Sequence, residues 1–167
     1  RLVLGAGFYN FTSVQGKAFA DLAAGGKSNG NHEGAAGVVK NPYLPKQIFL
    51  DARGPTGSVD SGIFVEYVQN NETSDPNQAL WTGMTIGQKT WDAQWGYLDV
   101  ESDATLALFT NSDFGNGVTD ARGWVAALRW KFMKNVSVRI TEMVARTRMD
   151  IDNRNYQRTH LDLNASF

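Results

Sequence analysis

Apolar and polar residues alternate along most of this chain with the two-residue period of a β-strand. In the run WDAQWGYL, aromatic and apolar side chains occupy every other position, and Asp92 and Gln94 lie between them. Similar runs are RLVLGAGFYNF, QIFLDA, SGIFVEYV, ALWTGMTI, WVAALRWKF, VSVRIT and the final RTHLDLNASF. The pattern predicts an all-β, antiparallel fold of about eight strands.

The connections between these runs alternate in length. Those after the second, fourth and sixth strands are short, namely RGPTGSVD, GQKT and MKN. The others are mostly longer and polar, namely residues 12–45, QNNETSDPNQ, residues 101–121 and MDIDNRN. Short turns at one end and longer loops at the other are typical of outer-membrane β-barrels. We therefore expect a transmembrane β-barrel domain over residues 1–167, whose long loop at about 12–45 contains a short helix at 17–24.

The two faces of the predicted strands differ in polarity, so that one face would meet lipid and the other would line a wet lumen. The predicted lumen residues are Glu66, Asp92, Arg129, Lys131, Arg139, His160, Asp162 and Asn164, with Asp51 and Gln94 beside them. Aromatic residues on the apolar face fall near the strand ends, as expected for the interfacial girdles of such barrels. These aromatic residues are Tyr67, Trp91, Trp124, Phe132 and Phe167.

The register of the last three strands can be predicted from the apolar faces. If those faces coincide, Phe132 lies opposite Val136, and Arg129 then lies opposite Arg139. Two like charges directly across a ladder repel each other, so an acid is expected nearby. Asp162 on the last strand is the candidate, which predicts an Arg129–Arg139–Asp162 cluster. Such charges either satisfy one another in the wall or bias which solutes pass.

The composition narrows the chemistry further. The net charge of −1 argues against a nucleic-acid partner, and the absence of cysteine excludes disulfides, thiolate metal sites and a cysteine nucleophile. The histidines, His32 and His160, form no HExxH motif, so we expect neither enzymatic activity nor a cofactor. The acidic loops NSDFGNGVTD and DIDNRN lack EF-hand spacing, so we expect solvated loops rather than metal sites. The chain opens on Arg1 rather than Met, which suggests a processed or truncated chain.

Several stretches resemble the C-terminal half of bacterial putative porins. They are GAGFYNF, VEYVQN, the long run ALFTNSDFGNGVTDARGWVAALRWKFMKNVSVRI and the ending HLDLNASF. The resemblance is good from about residue 46 onward and covers the Ser-Asp-Phe loop, the Lys-Asn turn and the terminal Phe167. It implies passive solute diffusion through a barrel in the bacterial outer membrane. The implied partners are outer-membrane lipid, lipopolysaccharide and the assembly machinery that reads the C-terminal strand.

Members of that family are considerably longer, which leaves the size of the barrel open. The chain is then either the C-terminal part of a barrel of roughly 16 strands, whose N-terminal half is missing, or a shortened relative, and a homo-oligomer is a further candidate partner. Alternatively, eight strands close on themselves, with an interior just filled by side chains. In either case a terminal strand as regular as RTHLDLNASF should be paired on both sides.

Two other functions fit the same pattern. One is a structural outer-membrane barrel that anchors or scaffolds partner proteins without conducting. The other is a soluble ligand-binding barrel, which would place the apolar face inside and the charged face in water.

Overall fold

The computed structural model describes residues 1–22, 26–74, 76–110 and 113–166, which form one antiparallel sheet with the strands in sequence order. The prediction of an all-β fold with eight strands is therefore confirmed. The strands are β1 (Leu2–Phe8), β2 (Pro45–Thr56), β3 (Val59–Asn70), β4 (Gln78–Gly87), β5 (Trp91–Val100), β6 (Ala121–Met133), β7 (Val136–Thr147) and β8 (Arg154–Ala165). Of the helix expected at 17–24, the described part contains α1 (Phe19–Leu22), and residues 23–24 lie outside the described residues; 3-10 turns occur at Thr12–Val14, Ala35–Gly37 and Ala107–Phe109.

The short and long connections lie at opposite ends of the sheet, as the sequence predicts. The β2–β3 connection is even shorter than expected, because β2 continues through Thr56 and β3 begins at Val59. Gly57 in this turn has a φ of 64°, a left-handed conformation that glycine adopts without strain. At the other end, residues 9–44 and 101–120 form the longest connections.

The sheet is open. Among the described residues, β1 is paired only with β2, and β8 is paired only with β7. The expectation that the last strand is paired on both sides is therefore not met, and the eight strands do not close on themselves. Strands as long as Arg154–Ala165 leave a row of backbone groups free at the edge, and natural proteins rarely leave such edges uncovered.

The apolar face of the sheet is exposed from one edge to the other. Leu4 on β1 keeps 67% of its surface accessible and Leu161 on β8 keeps 73%. Between them the exposed set includes Ile48, Ile63, Val65, Met84, Ile86, Trp95, Leu128, Trp130 and Ile140. This arrangement is the opposite of that in a soluble ligand-binding barrel, whose apolar side chains lie inside.

The main hydrophobic core lies among the loops rather than on the exposed face of the sheet. The long β1–β2 connection contributes Val14, Phe19, Val39 and Tyr43, and the β5–β6 connection contributes Leu106. Within the described part of the chain, no helix is both long enough and apolar enough to cross a membrane. The loops therefore fold as a packed layer at one end of the sheet.

Candidate functional site: the polar face and its loop cover

A cavity of about 630 Å³ lies over the polar face of the sheet and is lined by residues from β1 through β7. Four of the predicted lumen residues line it, namely Glu66, Asp92, Arg129 and Arg139, together with Asp51 and Gln94. The pairing register places Lys131, His160, Asp162 and Asn164 on the same face of β6 and β8. Lys131 and Asn164 line a smaller cavity next to the β6–β7 turn.

The predicted ladder of charged residues on the last three strands is present. Arg129 lies directly opposite Arg139, and Arg139 lies directly opposite Asp162. The proposed pairing of Phe132 with Val136 is wrong, because the register shifts between Lys131 and Met133. Met133 therefore takes the place opposite Val136, and the extra residue is accommodated next to the turn, below the arginine pair.

The prediction that Asp162 relieves the repulsion between the two arginines is wrong for Arg129. Its guanidinium Nη2 lies 2.6 Å from Oδ2 of Asp92 on β5, and its Nε donates to the same oxygen at 2.7 Å. Asp92 is the ladder partner of Arg129 on that side. The acid nearest in register on β5 thus relieves the arginine repulsion, whereas Asp162 forms no ion pair among the described residues.

Most other charges on the polar face also have a neighbour in the wall. Nη2 of Arg53 lies 2.6 Å from Asp51 Oδ2 on the same strand. Arg139 donates from Nε to the hydroxyl of Thr141 at 3.3 Å. Glu66 differs from the other acids, because its Oε1 accepts a neutral hydrogen bond from Nε2 of Gln47 at 2.7 Å. The polar face therefore combines matched ion pairs with isolated charges of both signs.

Aromatic rings also lie on the polar face, although the residues predicted for the lumen are all polar. Phe49 and Trp81 are the ladder partners of Glu66 on its two sides, and Phe64 lies 5.0 Å from Trp81 between ring centroids. The ring of Phe49 covers Gly5 on the next strand, and that of Trp81 covers Gly96, where in each case an added Cβ would come within 2.2 Å of the ring. Each ring thus lies over the backbone of a glycine, and that glycine on the neighbouring strand is the sequence signal that could have found it.

The predicted interfacial aromatics that the structure describes lie on the apolar face. Trp91 is paired with Trp130 and Trp124 with Tyr97 across the β5–β6 ladder. Phe132 is stacked on Trp130, with 5.3 Å between ring centroids. Tyr67 lies between Ile48 and Leu80 on the neighbouring strands. Phe167 lies outside the described residues.

The β5–β6 loop, residues 101–120, packs onto the polar face near the ends of its strands. Phe114 is buried together with Ala121 and Ala145, which project from the polar face of β6 and β7. The hydroxyl of Tyr156 on β8 donates to the carbonyl oxygen of Asp113 at 2.9 Å. The loop is therefore laid over the same face that carries the charged ladder, rather than extending away from the sheet.

The long β1–β2 connection, residues 9–44, reaches across the sheet to this loop. The side chain of Asn31 donates to the carbonyl oxygens of Ser102 and Thr105 at 2.6 and 2.7 Å and accepts from the N–H of Ala107. The N–H of Thr119 donates to the carbonyl oxygen of Asn29 at 2.9 Å. A connection that starts at the β1 edge is thereby bound to the β5–β6 loop and spans the intervening strands.

A buried carboxylate joins these two loops. Asp103 is fully buried and accepts hydrogen bonds from the hydroxyl of Tyr43 at 2.6 Å and from Nδ2 of Asn41 at 2.7 Å. Nδ1 of His32 lies 2.8 Å from Oδ2 of Asp103, the same oxygen that accepts from Asn41. Burial raises the pKa of the Tyr43 phenol well above its usual range, and the carboxylate of Asp103 adds to the rise. Tyr43 therefore remains a hydrogen-bond donor at any physiological pH.

Comparison with known proteins gives one family. The sequence model of the putative porin family matches residues 65–167, which include half of β3 and all of β4 to β8. No curated protein and no solved structure gives a significant match to the chain.

Proposed function

Because the chain belongs to the putative porin family, we propose that it forms the wall of a water-filled barrel in the bacterial outer membrane, through which small hydrophilic solutes or ions diffuse passively. The observation that carries this proposal is the polarity of the sheet. One face exposes large apolar side chains on every strand, and the other carries charged residues over a cavity. A barrel wall between lipid and water requires this division.

The exposed apolar face supports a membrane location. Monomeric soluble proteins rarely expose a contiguous apolar surface larger than a few hundred Å², whereas here the exposed residues run from Leu2 on β1 to Leu163 on β8. Trp124 and Phe132 lie toward opposite ends of β6 on that face, where lipid headgroups favour aromatic rings. The proposed surroundings are outer-membrane lipid and lipopolysaccharide.

The open edges support a barrel larger than the described sheet. We infer that β1 and β8 each pair with a further strand, supplied by a part of the protein outside this sequence or by another copy of it. Complete outer-membrane barrels often contain about 16 strands, and such a barrel encloses an aqueous channel. The terminal strand that contains β8 is proposed to be the segment recognised by the assembly machinery.

The loop layer gives the proposed channel a constriction. The β5–β6 loop covers part of the polar face, and the β1–β2 connection is bound to it through Asn31 and Asp103. Solutes would pass between this layer and the charged ladder on β5 to β7. The proposed role needs no catalytic group, no cofactor and no nucleic-acid partner.

Electrical recording tests the proposal. The full-length protein, purified in detergent and added to a planar bilayer, should give stepwise currents that are linear with voltage. Arg139→Glu should shift the reversal potential in a salt gradient toward cation selectivity, because the side chain lies on the polar face. Arg146→Glu is the matched control, because that side chain lies on the opposite face of the same strand.

The result also separates this role from the alternative. If the folded protein inserts into bilayers but never conducts, the conducting role is wrong, and a structural barrel that anchors partner proteins is the better description. If the protein conducts but Arg139→Glu and Arg146→Glu shift the reversal potential equally, the assignment of the polar face to the lumen is contradicted.

A further inference from the structure

The geometry points to a binding site for organic cations on the polar face, formed by Glu66 between Phe49 and Trp81. The proposed ligand is a quaternary or alkylated ammonium ion, held by the carboxylate of Glu66 and by the faces of the rings. This inference rests on the proposed function in one respect, since it places the site in the wall of the conducting lumen.

The aromatic part of the site is fixed by the sheet. Phe49, Glu66 and Trp81 are consecutive partners across the β2–β3–β4 ladders, so their Cβ atoms lie about 5 Å apart along one row. A ring that reaches the glycine of the next strand must lie along the sheet. Phe49 reaches Gly5 in this way, and Trp81 reaches Gly96. We infer that the faces of these rings, rather than their edges, are turned toward the cavity that they line.

A third ring extends the aromatic surface. Phe64 lies on the same face, two positions before Glu66, and its ring is tilted by 39° against that of Trp81. An added Cβ on Gly83 of β4 would come within 2.6 Å of the ring of Phe64, so this ring also covers glycine backbone. Phe49 keeps 38% of its surface accessible, and the cavity over the polar face is lined by all three rings.

The charge beside the rings is negative and lacks a cationic partner. In the described ranges, no ion pair involves Glu66, and its Oε1 accepts a hydrogen bond from the neutral side-chain amide of Gln47. Two of the positive side chains that line the same cavity are already matched, since Arg53 is bound to Asp51 and Arg129 to Asp92. A carboxylate flanked by rings thus remains available to a ligand.

These features select a cation over an anion. The face of an aromatic ring carries the negative part of its quadrupole, so it attracts cations and repels anions. An alkylated ammonium also gains apolar contact with the rings, which a hydrated potassium ion does not. Recognition of choline-like groups by aromatic rings with a nearby carboxylate is a known use of this interaction. The site therefore favours organic cations over both anions and inorganic cations.

The test measures block of the potassium current through the full-length protein by tetramethylammonium and by choline. Both should reduce the current at concentrations well below that of potassium. Glu66→Gln keeps the shape of the side chain and its acceptor for Gln47, and should weaken the block at least tenfold. Trp81→Leu and Phe49→Leu should each weaken it severalfold. The neutral isostere of choline, 3,3-dimethylbutan-1-ol, should block far more weakly than choline.

Matched controls separate the site from the general charge of the wall. Asp162→Asn removes a carboxylate from the same face, on β8, and should leave the block unchanged. Trp95→Leu removes a ring from the apolar face and should also leave it unchanged. If Glu66→Gln changes only ion selectivity, or if Asp162→Asn weakens the block equally, the site assignment is wrong although the channel function stands.

A measurement of equilibrium binding tests the cation site separately from the proposed channel function. Choline binding to the protein in detergent, followed by its NMR line broadening, should be lost in Glu66→Gln. Glu66-dependent binding without conductance would support the site and contradict the proposed channel. Absence of binding to the folded wild-type protein would overturn the site, whatever the conductance.

Discussion

Arg129 on β6 and Arg139 on β7 lie directly opposite each other on the polar face. Each guanidinium finds a different partner, because Arg129 turns toward Asp92 on β5 while Arg139 donates to Thr141 on its own strand. Like charges opposed across a ladder are destabilising unless an acid lies nearby. The acid in this case comes from the earlier strand, so the ion pair also links β5 to β6.

The Asp92–Arg129 pair gives a prediction about selectivity. Asp92→Asn leaves Arg129 without its partner, so the reversal potential should shift toward anion selectivity. The free energy of unfolding should change by about 1 kcal/mol or less, because both side chains are partly exposed. The double variant Asp92→Asn/Arg129→Gln restores the net charge and should restore the wild-type reversal potential. A double variant that stays anion-selective would show that the pair does not act as a neutral unit.

The glycine beneath Trp81 gives a prediction about packing. Gly96→Ala places a Cβ within 2.2 Å of the indole, so the ring must move. The free energy of unfolding in urea should fall by about 1–3 kcal/mol, as for overpacked cores. Gly54→Ala on β2 is the matched control, since nothing lies within 4 Å of its added Cβ. Combining Gly96→Ala with Trp81→Leu should recover part of the loss, and an additive effect would contradict the proposed clash.

The buried phenol gives a prediction about the loop layer. Tyr43→Phe removes the hydroxyl that donates to Asp103 and leaves a buried carboxylate oxygen with fewer donors. We expect a loss of about 1–3 kcal/mol, confined to the loops, and faster cleavage within residues 9–44 by a protease added in trace amounts. Tyr9→Phe is the control, because that ring is about half exposed in the same connection. Equal cleavage of the two variants would mean that Asp103 does not hold the layer together.

Asp120 gives a prediction about pH. Burial raises the pKa of its carboxyl above the usual value, and the nearby carboxylate of Asp150 adds to the rise, although the N–H of Asp150 donates to it at 3.0 Å. The folded state thus favours the protonated acid. Its contribution to stability is present below the unfolded-state pKa of about 4 and is lost as the pH rises through the folded-state pKa.

Asp120→Asn should therefore raise the melting temperature at pH 8 and change it little at pH 4. The asparagine keeps an acceptor for the N–H of Asp150 and tolerates the φ of 53° at this position. Asp120→Ala keeps neither property and should lower the melting temperature at both values. A stabilisation by asparagine that is independent of pH would show that the charge of Asp120 is not its cause.

The strands and their faces could be predicted because a two-residue period admits only two orientations for each strand. For the same reason, the short β6–β7 turn was enough to place Arg129 opposite Arg139. The bulge between Lys131 and Met133 was not predictable, since a single extra residue next to a turn leaves the pattern on either side intact. The pairing of Arg129 with Asp92 depends on the register across the long β5–β6 loop, which no turn rule fixes.

The aromatic part of the polar face was missed for a different reason. The two-residue period puts Phe49 and Trp81 on the polar face, out of phase with Ile48 and Leu80, but polarity gives no reason to count a ring among the lumen residues, and only the register places both rings beside Glu66. The signal that could have found them is a glycine on the adjacent strand, where a ring can lie over bare backbone. Asp103 left no such signal, because its partners His32, Asn41 and Tyr43 lie about 60 to 70 residues away in sequence.

The contacts between the two long loops also set an order of events in folding. Every strand pairs with its neighbour in sequence, so the sheet can grow hairpin by hairpin with small losses of chain entropy. The hydrogen bond from Tyr43 to Asp103 joins residues 60 positions apart, and that from the N–H of Ala107 to the side chain of Asn31 joins residues 76 apart. The loss of chain entropy on forming these distant contacts is small only once the intervening strands have paired. We therefore expect the loop layer to form late in folding and to fix a sheet that has already formed.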